Sequence, residues 1–293
     1  MLERIDHMVS VVPNLEAAAS AYRRLGLSLT LRSEIAATGI ANQVFFVGAN
    51  PENFTYLELL EVTNPANAAA TGRQAYIDAT AAGGAMVGLV FGVESARSAA
   101  AALESKGLTA PVESLTRPDG SPLLDTATID TRGAVPFRIS VANYPETWSA
   151  RYGRSKAAER FDHSFPLKRL DHLAAVAPDL EAATRFWSET LGVSVFGEIK
   201  TPALIIRQLK IGDAVFELLG PTSPDSPMAS RPASLASMAA WEVTGSLDDA
   251  VTLARSRGFT PTDPEIGVIP GTRRSTIPAT ELAGTATQLI EYV

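Results

Sequence analysis

The sequence predicts an α+β fold built from four βαβββ modules in two similar halves. Three observations carry that reading. Arg4-Ile5-Asp6-His7-Met8-Val9-Ser10-Val11-Val12-Pro13-Asn14-Leu15-Glu16-Ala17-Ala18 returns as Arg169-Leu170-Asp171-His172-Leu173-Ala174-Ala175-Val176-Ala177-Pro178-Asp179-Leu180-Glu181-Ala182-Ala183, at a constant offset of 165 residues. A shorter echo, Ser105-Lys106-Gly107-Leu108-Thr109 against Ser256-Arg257-Gly258-Phe259-Thr260, recurs at an offset of 151. Between these anchors the hydrophobic pattern switches repeatedly between the periods of strand and helix.

In chain order, residues 4–12 carry the loose alternation and β-branched residues of a strand. Pro13 stops it, and the Asn14 side chain is suited to accept a free helix N–H. Leu15, Ala18, Ala19, Tyr22 and Leu25 then fall on one helical face, with Gly26 as the terminator. Strands are predicted at Leu27–Arg32, Gln43–Val47 and Phe54–Val62. The second module starts with Val87–Val93, continues through a helix near Ala96–Ser105 and a strand near Leu108–Glu113, turns at Pro118-Asp119-Gly120, and closes on Pro136–Val141. The third has a helix from an Asp179 cap to about Leu191, then strands at Ser194–Glu198, Leu204–Ile211 and Ala214–Leu219. The fourth comprises Ser237–Val243, a helix near Leu247–Arg257 and a last strand at Thr287–Val293. The halves are thus 1–143 (modules about 4–64 and 86–142) and 169–293 (modules about 169–220 and 235–293), joined by a polar linker over 144–168.

Composition narrows the function. With 46% apolar and 19% charged residues, the 293-residue chain has the makeup of folded domains. Its net charge of −7 argues against a nucleic-acid partner. No run nears the about 20 apolar residues of a membrane span, and no secretory signal is read at the start, so a cytoplasmic monomer or homodimer acting on a small molecule is expected. Cysteine is absent, so any metal must be held by His, Asp or Glu.

Ile5-Asp6-His7, Pro13-Asn14-Leu15-Glu16-Ala17-Ala18, Leu25-Gly26 and Tyr56-Leu57-Glu58-Leu59-Leu60, repeated over four modules, resemble the vicinal-oxygen-chelate (VOC) superfamily. That superfamily includes glyoxalase I, extradiol dioxygenases, methylmalonyl-CoA epimerase and the bleomycin- and fosfomycin-resistance proteins; the first half most resembles its glyoxalase-like domain branch. The resemblance implies two tandem domains whose curved mixed sheets form cups, with metal ligands on the first and last strand of each module. Carried over by position, these are His7, Glu58, Gly88 and Arg138 in the first cup, and His172, Glu217, Met238 and Glu291 in the second. Glycine offers no ligand and arginine repels a cation, so the resemblance implies one metal site, His172, Glu217 and Glu291, suited to Zn, Fe(II), Mn, Ni or Co.

The implied reaction is isomerase, epimerase or lyase chemistry through a metal-stabilised enolate-like intermediate, with Glu291 or Glu217 as the base. His7, Gln43, Tyr56, Glu58, Arg138, Arg207, Gln208, Met238 and Arg273 are the expected substrate contacts; in the glyoxalase-like branch the Gln43 position is often histidine. Arg273 and Arg274 are read in a Gly/Pro-flanked loop that could clamp an anion. Two alternatives stand beside this reading: a metal-free binding or resistance protein, and an extradiol-type dioxygenase. Met238 at the second histidine position counts against the latter. His163 is read as a surface residue, and Asp6 and Asp171 are expected on the face opposite the histidines, pairing with Arg4 and Arg169.

Overall fold

The computed structural model describes residues 1–117 and 119–293; Pro118, part of the turn expected at Pro118-Asp119-Gly120, lies outside them. The first module comprises β1 (Arg4–Val11), α1 (Leu15–Leu25), β2 (Ser33–Ile35), β3 (Ile40–Val47) and β4 (Thr55–Val62), followed by two short helices, α2 (Pro65–Ala70) and α3 (Gln74–Ala81). The second comprises β5 (Ala85–Gly92), α4 (Ala96–Glu104), β6 (Val112–Thr116), β7 (Pro122–Ile129) and β8 (Arg138–Asn143). A helix, α5 (Trp148–Ala157), occupies the segment expected to be linker. The third module is β9 (Leu167–Val176), α6 (Leu180–Arg185) running on into a π-helical turn at Phe186–Thr190, β10 (Val195–Lys200), β11 (Ile205–Ile211) and β12 (Ala214–Gly220). The fourth is β13 (Ser234–Val243), α7 (Leu247–Ser256), β14 (Glu265–Ile266), β15 (Thr272–Ile277) and β16 (Ala286–Tyr292).

The strands form two curled, mixed eight-stranded sheets, ordered β2-β3-β4-β1-β5-β8-β7-β6 and β10-β11-β12-β9-β13-β16-β15-β14. Their identical plan is the structural form of the sequence repeat. In each module the first strand pairs in parallel with the last, as in β1 with β4 and β9 with β12, because the helix carries the chain back across the sheet.

Local chemistry explains the helices. Asn14 Oδ1 accepts the Ala17 amide at 2.8 Å, and Asp179 Oδ1 does the same for Ala182 at 2.9 Å. The α1 residues buried in the fold are Leu15, Ala18, Ala19, Tyr22 and Leu25, the face expected from their spacing. Gly26 closes α1 at φ +104°, sending its amide to the Tyr22 and Arg23 carbonyls. The segment 27–32 is not a strand, and Arg273 and Arg274 lie within β15 rather than in a loop.

By contact, the described residues group into two compact units, each drawing on both halves of the sequence. One holds 1–6, 88–151 and 172–236; the other holds 7–87, 152–171 and 237–293. In the first, fully buried Trp187 packs on Phe91 and Phe216 with centroid distances of 5.9 and 4.4 Å. There too, buried Asp6 is bonded by Arg151 Nη1 at 3.0 Å and by the Tyr144 hydroxyl at 2.7 Å. In the second, Tyr22, Phe45 and Trp241 form a run of aromatic contacts. Asp171 there accepts from the Tyr292 hydroxyl at 2.6 Å and pairs with Arg169 at 3.6 Å, as expected for Arg169.

Candidate functional site

The helices identify which face of each sheet is free. Tyr22 of α1 packs on Phe45, so Phe45, and with it Gln43, point to the helix side of β3. Asn42, Val44 and Phe46 point the other way. Register places Val44 opposite Glu58, Phe46 and His7 opposite Tyr56, and Val9 opposite Glu58, so all of these share the helix-free face.

On that face His7 and Glu58 meet. His7 Nε2 lies 3.9 Å from Glu58 Oε2, and the two side chains keep 12% and 14% of their surface accessible. Asn42 Nδ2 donates to the other carboxylate oxygen, Oε1. Tyr56 stacks on the His7 ring, with centroids 4.4 Å apart and planes 13° from parallel. An imidazole and an oriented carboxylate, both within reach of solvent, make an acid–base pair.

The third module repeats the histidine and glutamate positions, with the amide donor at the place that Val44 holds in the first. Register sets His172 opposite Val215 and Glu217 opposite both Ala174 and Gln208, so His172, Glu217 and Gln208 share a face. Gln208 Nε2 donates to Glu217 Oε1 at 3.0 Å, and all three side chains are buried. A buried carboxylate is costly without such a donor, which accounts for a glutamine opposite Glu217.

Other expected residues are placed differently. Arg207 turns to the helix side, where it pairs with Glu181 of α6 and with Glu198 and bonds Thr184. Gln43 is buried on the helix side and donates to the Thr30 carbonyl at 2.7 Å, so Asn42, not Gln43, reaches Glu58. Arg138 does share the helix-free face with Gly88 and Ser140, and its guanidinium bonds Thr128 Oγ1 at 2.6 Å.

The largest correction concerns Glu291. In the first and third modules the glutamate sits opposite the residue two beyond the histidine. The same rule, applied to Met238 opposite Ala286, leads to Gln288 opposite Ala240; in the second module it leads from Gly88 to Ser140. Glu291, three residues past Gln288, is on the other face, where Arg273 pairs with it at 3.1 Å and with Asp248 of α7 at 2.7 Å. Asp248 is held below its ordinary carboxylate range by its hydrogen bond to Arg273. Arg273 is therefore committed to two carboxylates of the protein.

These placements bear on a metal. Each half keeps one imidazole and one carboxylate at the positions expected to ligate, and the remaining positions hold Gly88, Ser140, Met238 and Gln288. Among the described residues no three His, Asp or Glu side chains are placed to hold one ion, whereas a catalytic divalent site ordinarily has three protein ligands. The donor set does not fit the metal site that the resemblance implies.

Sequence reasoning missed Asn42, Ser140 and Gln288, whose faces follow from strand pairing rather than from a local pattern. It also missed His163, which is half-buried: its Nε2–H donates to the Phe46 carbonyl at 2.6 Å and its Nδ1 accepts the Ser28 amide at 3.0 Å.

Comparison with known proteins gives the same architecture. A glyoxalase-like domain model matches residues 5–162, more than half of the chain, and a glyoxalase/bleomycin resistance protein/dioxygenase superfamily model matches 171–274. Mitochondrial methylmalonyl-CoA epimerase of Mus musculus is 34% identical over 87 residues, covering 27% of this chain and 49% of that protein. The Homo sapiens enzyme is 37% identical over 65 residues, covering 22% and 37%. The chain therefore matches half or less of these curated relatives' length. Among solved structures, a mutant of 4-hydroxymandelate synthase from Streptomyces coelicolor superposes with a TM-score of 0.67 at 15% identity, covering 100% of this chain and 93% of the other. A hypothetical protein from Staphylococcus aureus gives 0.64 at 8% identity, covering 99% of each. These likenesses concern the fold alone. The chain belongs to the glyoxalase-like domain family of the VOC superfamily.

Proposed function

We propose that this protein moves a proton at the carbon beside a carbonyl of a small oxygenated substrate, as an epimerase or isomerase does. The observation that carries the reading is a histidine and a glutamate at equivalent strand positions in both halves, His7 with Glu58 and His172 with Glu217, each glutamate held by an amide from the neighbouring strand, Asn42 or Gln208. A glutamate held by an amide takes the proton from carbon. The C–H electron pair moves onto the carbonyl oxygen as an enolate, and the imidazole stabilises that charge by hydrogen bonding. Return of the proton to either side of the carbon completes the reaction. Members of the superfamily usually use a divalent metal for the enolate; here the residue set supports the imidazole in that role. The partial likeness to methylmalonyl-CoA epimerases supports the reaction class and names the first substrate to try. On this reading the chain is a cytoplasmic monomer or homodimer, with no nucleic-acid partner.

The test is proton exchange into deuterated water with methylmalonyl-CoA and a panel of related thioesters and 2-oxo acids, followed by proton NMR. Loss of the α-proton signal that slows at least a hundredfold in the double variant Glu58→Gln/Glu217→Gln supports the proposal, and the single variants apportion the activity between the halves. Exchange that the double variant does not slow contradicts it.

A second reading is sequestration of a small molecule without chemistry, favoured by Gly88 and Met238 where reactive side chains would stand. Ligand-induced stabilisation indifferent to chelator, with no exchange, selects it. A dioxygenase reading rests on fold likeness alone and has Met238 and Gln288 against it.

A further inference from the structure

The His7 pair continues into a line of rings within one compact unit. Tyr56, stacked on His7 at 4.4 Å, packs on Phe46 at 5.0 Å, and the Arg160 guanidinium lies over the Phe46 ring with its Cζ 5.4 Å from the centroid. Arg160 follows α5 in a turn that His163 fastens to Phe46 and Ser28. Beside it opens a cavity of about 500 Å³, whose lining includes Thr30, Arg32, Phe46, Glu159 and Arg160.

The two arginines of this cavity are in different states. Arg32 is held by Glu34 at 3.1 Å and Glu61 at 3.0 Å. Among the described residues no carboxylate pairs with Arg160, and the charge acting on it is the like charge of Arg154. Partial burial and Arg154 both lower its pKa. A half-buried cation without a counter-ion is unfavourable, and a guanidinium offers a planar fork that matches an oxyanion. The Glu159 carboxylate, exposed, also lines the cavity and would oppose an anion there, which confines a favourable position to the Arg160 end.

We propose that this cavity is an oxyanion subsite, in which Arg160 pairs with a phosphate or carboxylate carried by the substrate, at the far end of the aromatic line from His7. The word substrate rests on the function proposed above; the subsite itself rests on Arg160 and the cavity.

The test is thermal-shift and calorimetric titration of the full chain with inorganic phosphate and, separately, succinate, which distinguishes the two oxyanions. Saturable binding of one of them is expected, at least tenfold weaker in Arg160→Gln, several-fold weaker in Arg160→Lys, and unchanged in Glu58→Gln. Arg160→Lys keeps the charge, so the measurement stands if the glutamine variant folds poorly. Absence of saturable binding by both ions, or equal affinity in both Arg160 variants and the parent, overturns the subsite. Arg160-dependent binding without any proton exchange would refute the function and leave the subsite standing. Glu58-dependent exchange without Arg160-dependent binding would refute the subsite alone.

Discussion

His7 Nε2 stands 3.9 Å from one oxygen of Glu58 while Asn42 Nδ2 bonds the other. The amide fixes the carboxylate so that one oxygen faces the imidazole. A hydrogen bond to a charged group contributes about 1.5–3 kcal/mol. In a Glu217→Gln background, Asn42→Ala is therefore expected to lower kcat for proton exchange by about tenfold to a hundredfold while KM changes little, as read from exchange rates at varied substrate concentration. A change confined to KM would mean that Asn42 binds substrate rather than orienting Glu58.

His163 introduces a pH dependence of stability. Its neutral ring donates from Nε2 to Phe46 and accepts at Nδ1 from Ser28, and burial pushes its pKa below the ordinary value, against smaller opposing effects of the Phe46 carbonyl and Asp162. The unfolded state therefore takes up the proton at a higher pH than the folded state. The stabilisation is complete above about pH 6.5 and is lost as pH falls from there through the lowered folded pKa. Thermal melts from pH 7.5 to 5 should show a decline in Tm that is shallower in His163→Gln. Parallel curves would contradict the assignment.

Gly26 is a backbone requirement. At φ +104° its added Cβ would come 2.0 Å from Arg257 Nη1 and 2.6 Å from Ser164 Oγ, and that guanidinium nitrogen donates to the Leu25 carbonyl. Gly26→Ala should cost about 1–3 kcal/mol, from left-handed strain and displacement of Arg257. Urea denaturation measures it, with Gly72→Ala as a comparison at positive φ in open space; equal costs would mean that strain alone acts.

The donor set predicts a weak response to metals. A divalent ion present at a hundred times its Kd would stabilise the fold by about 2.7 kcal/mol. Zn, Mn, Ni or Co at such an excess over a micromolar Kd should leave Tm within about a degree of the chelated protein. A rise of several degrees that His172→Ala abolishes would restore the metal reading.

Much of this was legible in the sequence. The repeated Asp-His strand, its caps and the α1 face are local patterns, and local chemistry fixed them. Helix α5 was hidden because two of its buried residues are Arg151 and Ser155, so its inner face reads as polar; Asp6, distant in sequence, satisfies Arg151, whose guanidinium lies over the Tyr144 ring. Glu291 was misassigned because a run of apolar residues ending in glutamate does not disclose its register. The pairing of β16 with β15 decides it, and a shift of three residues reverses the face. Gln43 and Asn42 differ by the same parity. Arg160 carried no signal, since only the folded turn brings it over Phe46.

Proton movement at carbon by a His–Glu pair is open to direct measurement. The direct measurement is deuterium incorporation into methylmalonyl-CoA, by chelated wild-type protein and by the double variant Glu58→Gln/Glu217→Gln, each checked by circular dichroism for an intact fold. Incorporation by the wild type is expected, and its loss, by at least a hundredfold, in the double variant. Incorporation at the same rate by the folded double variant would contradict it.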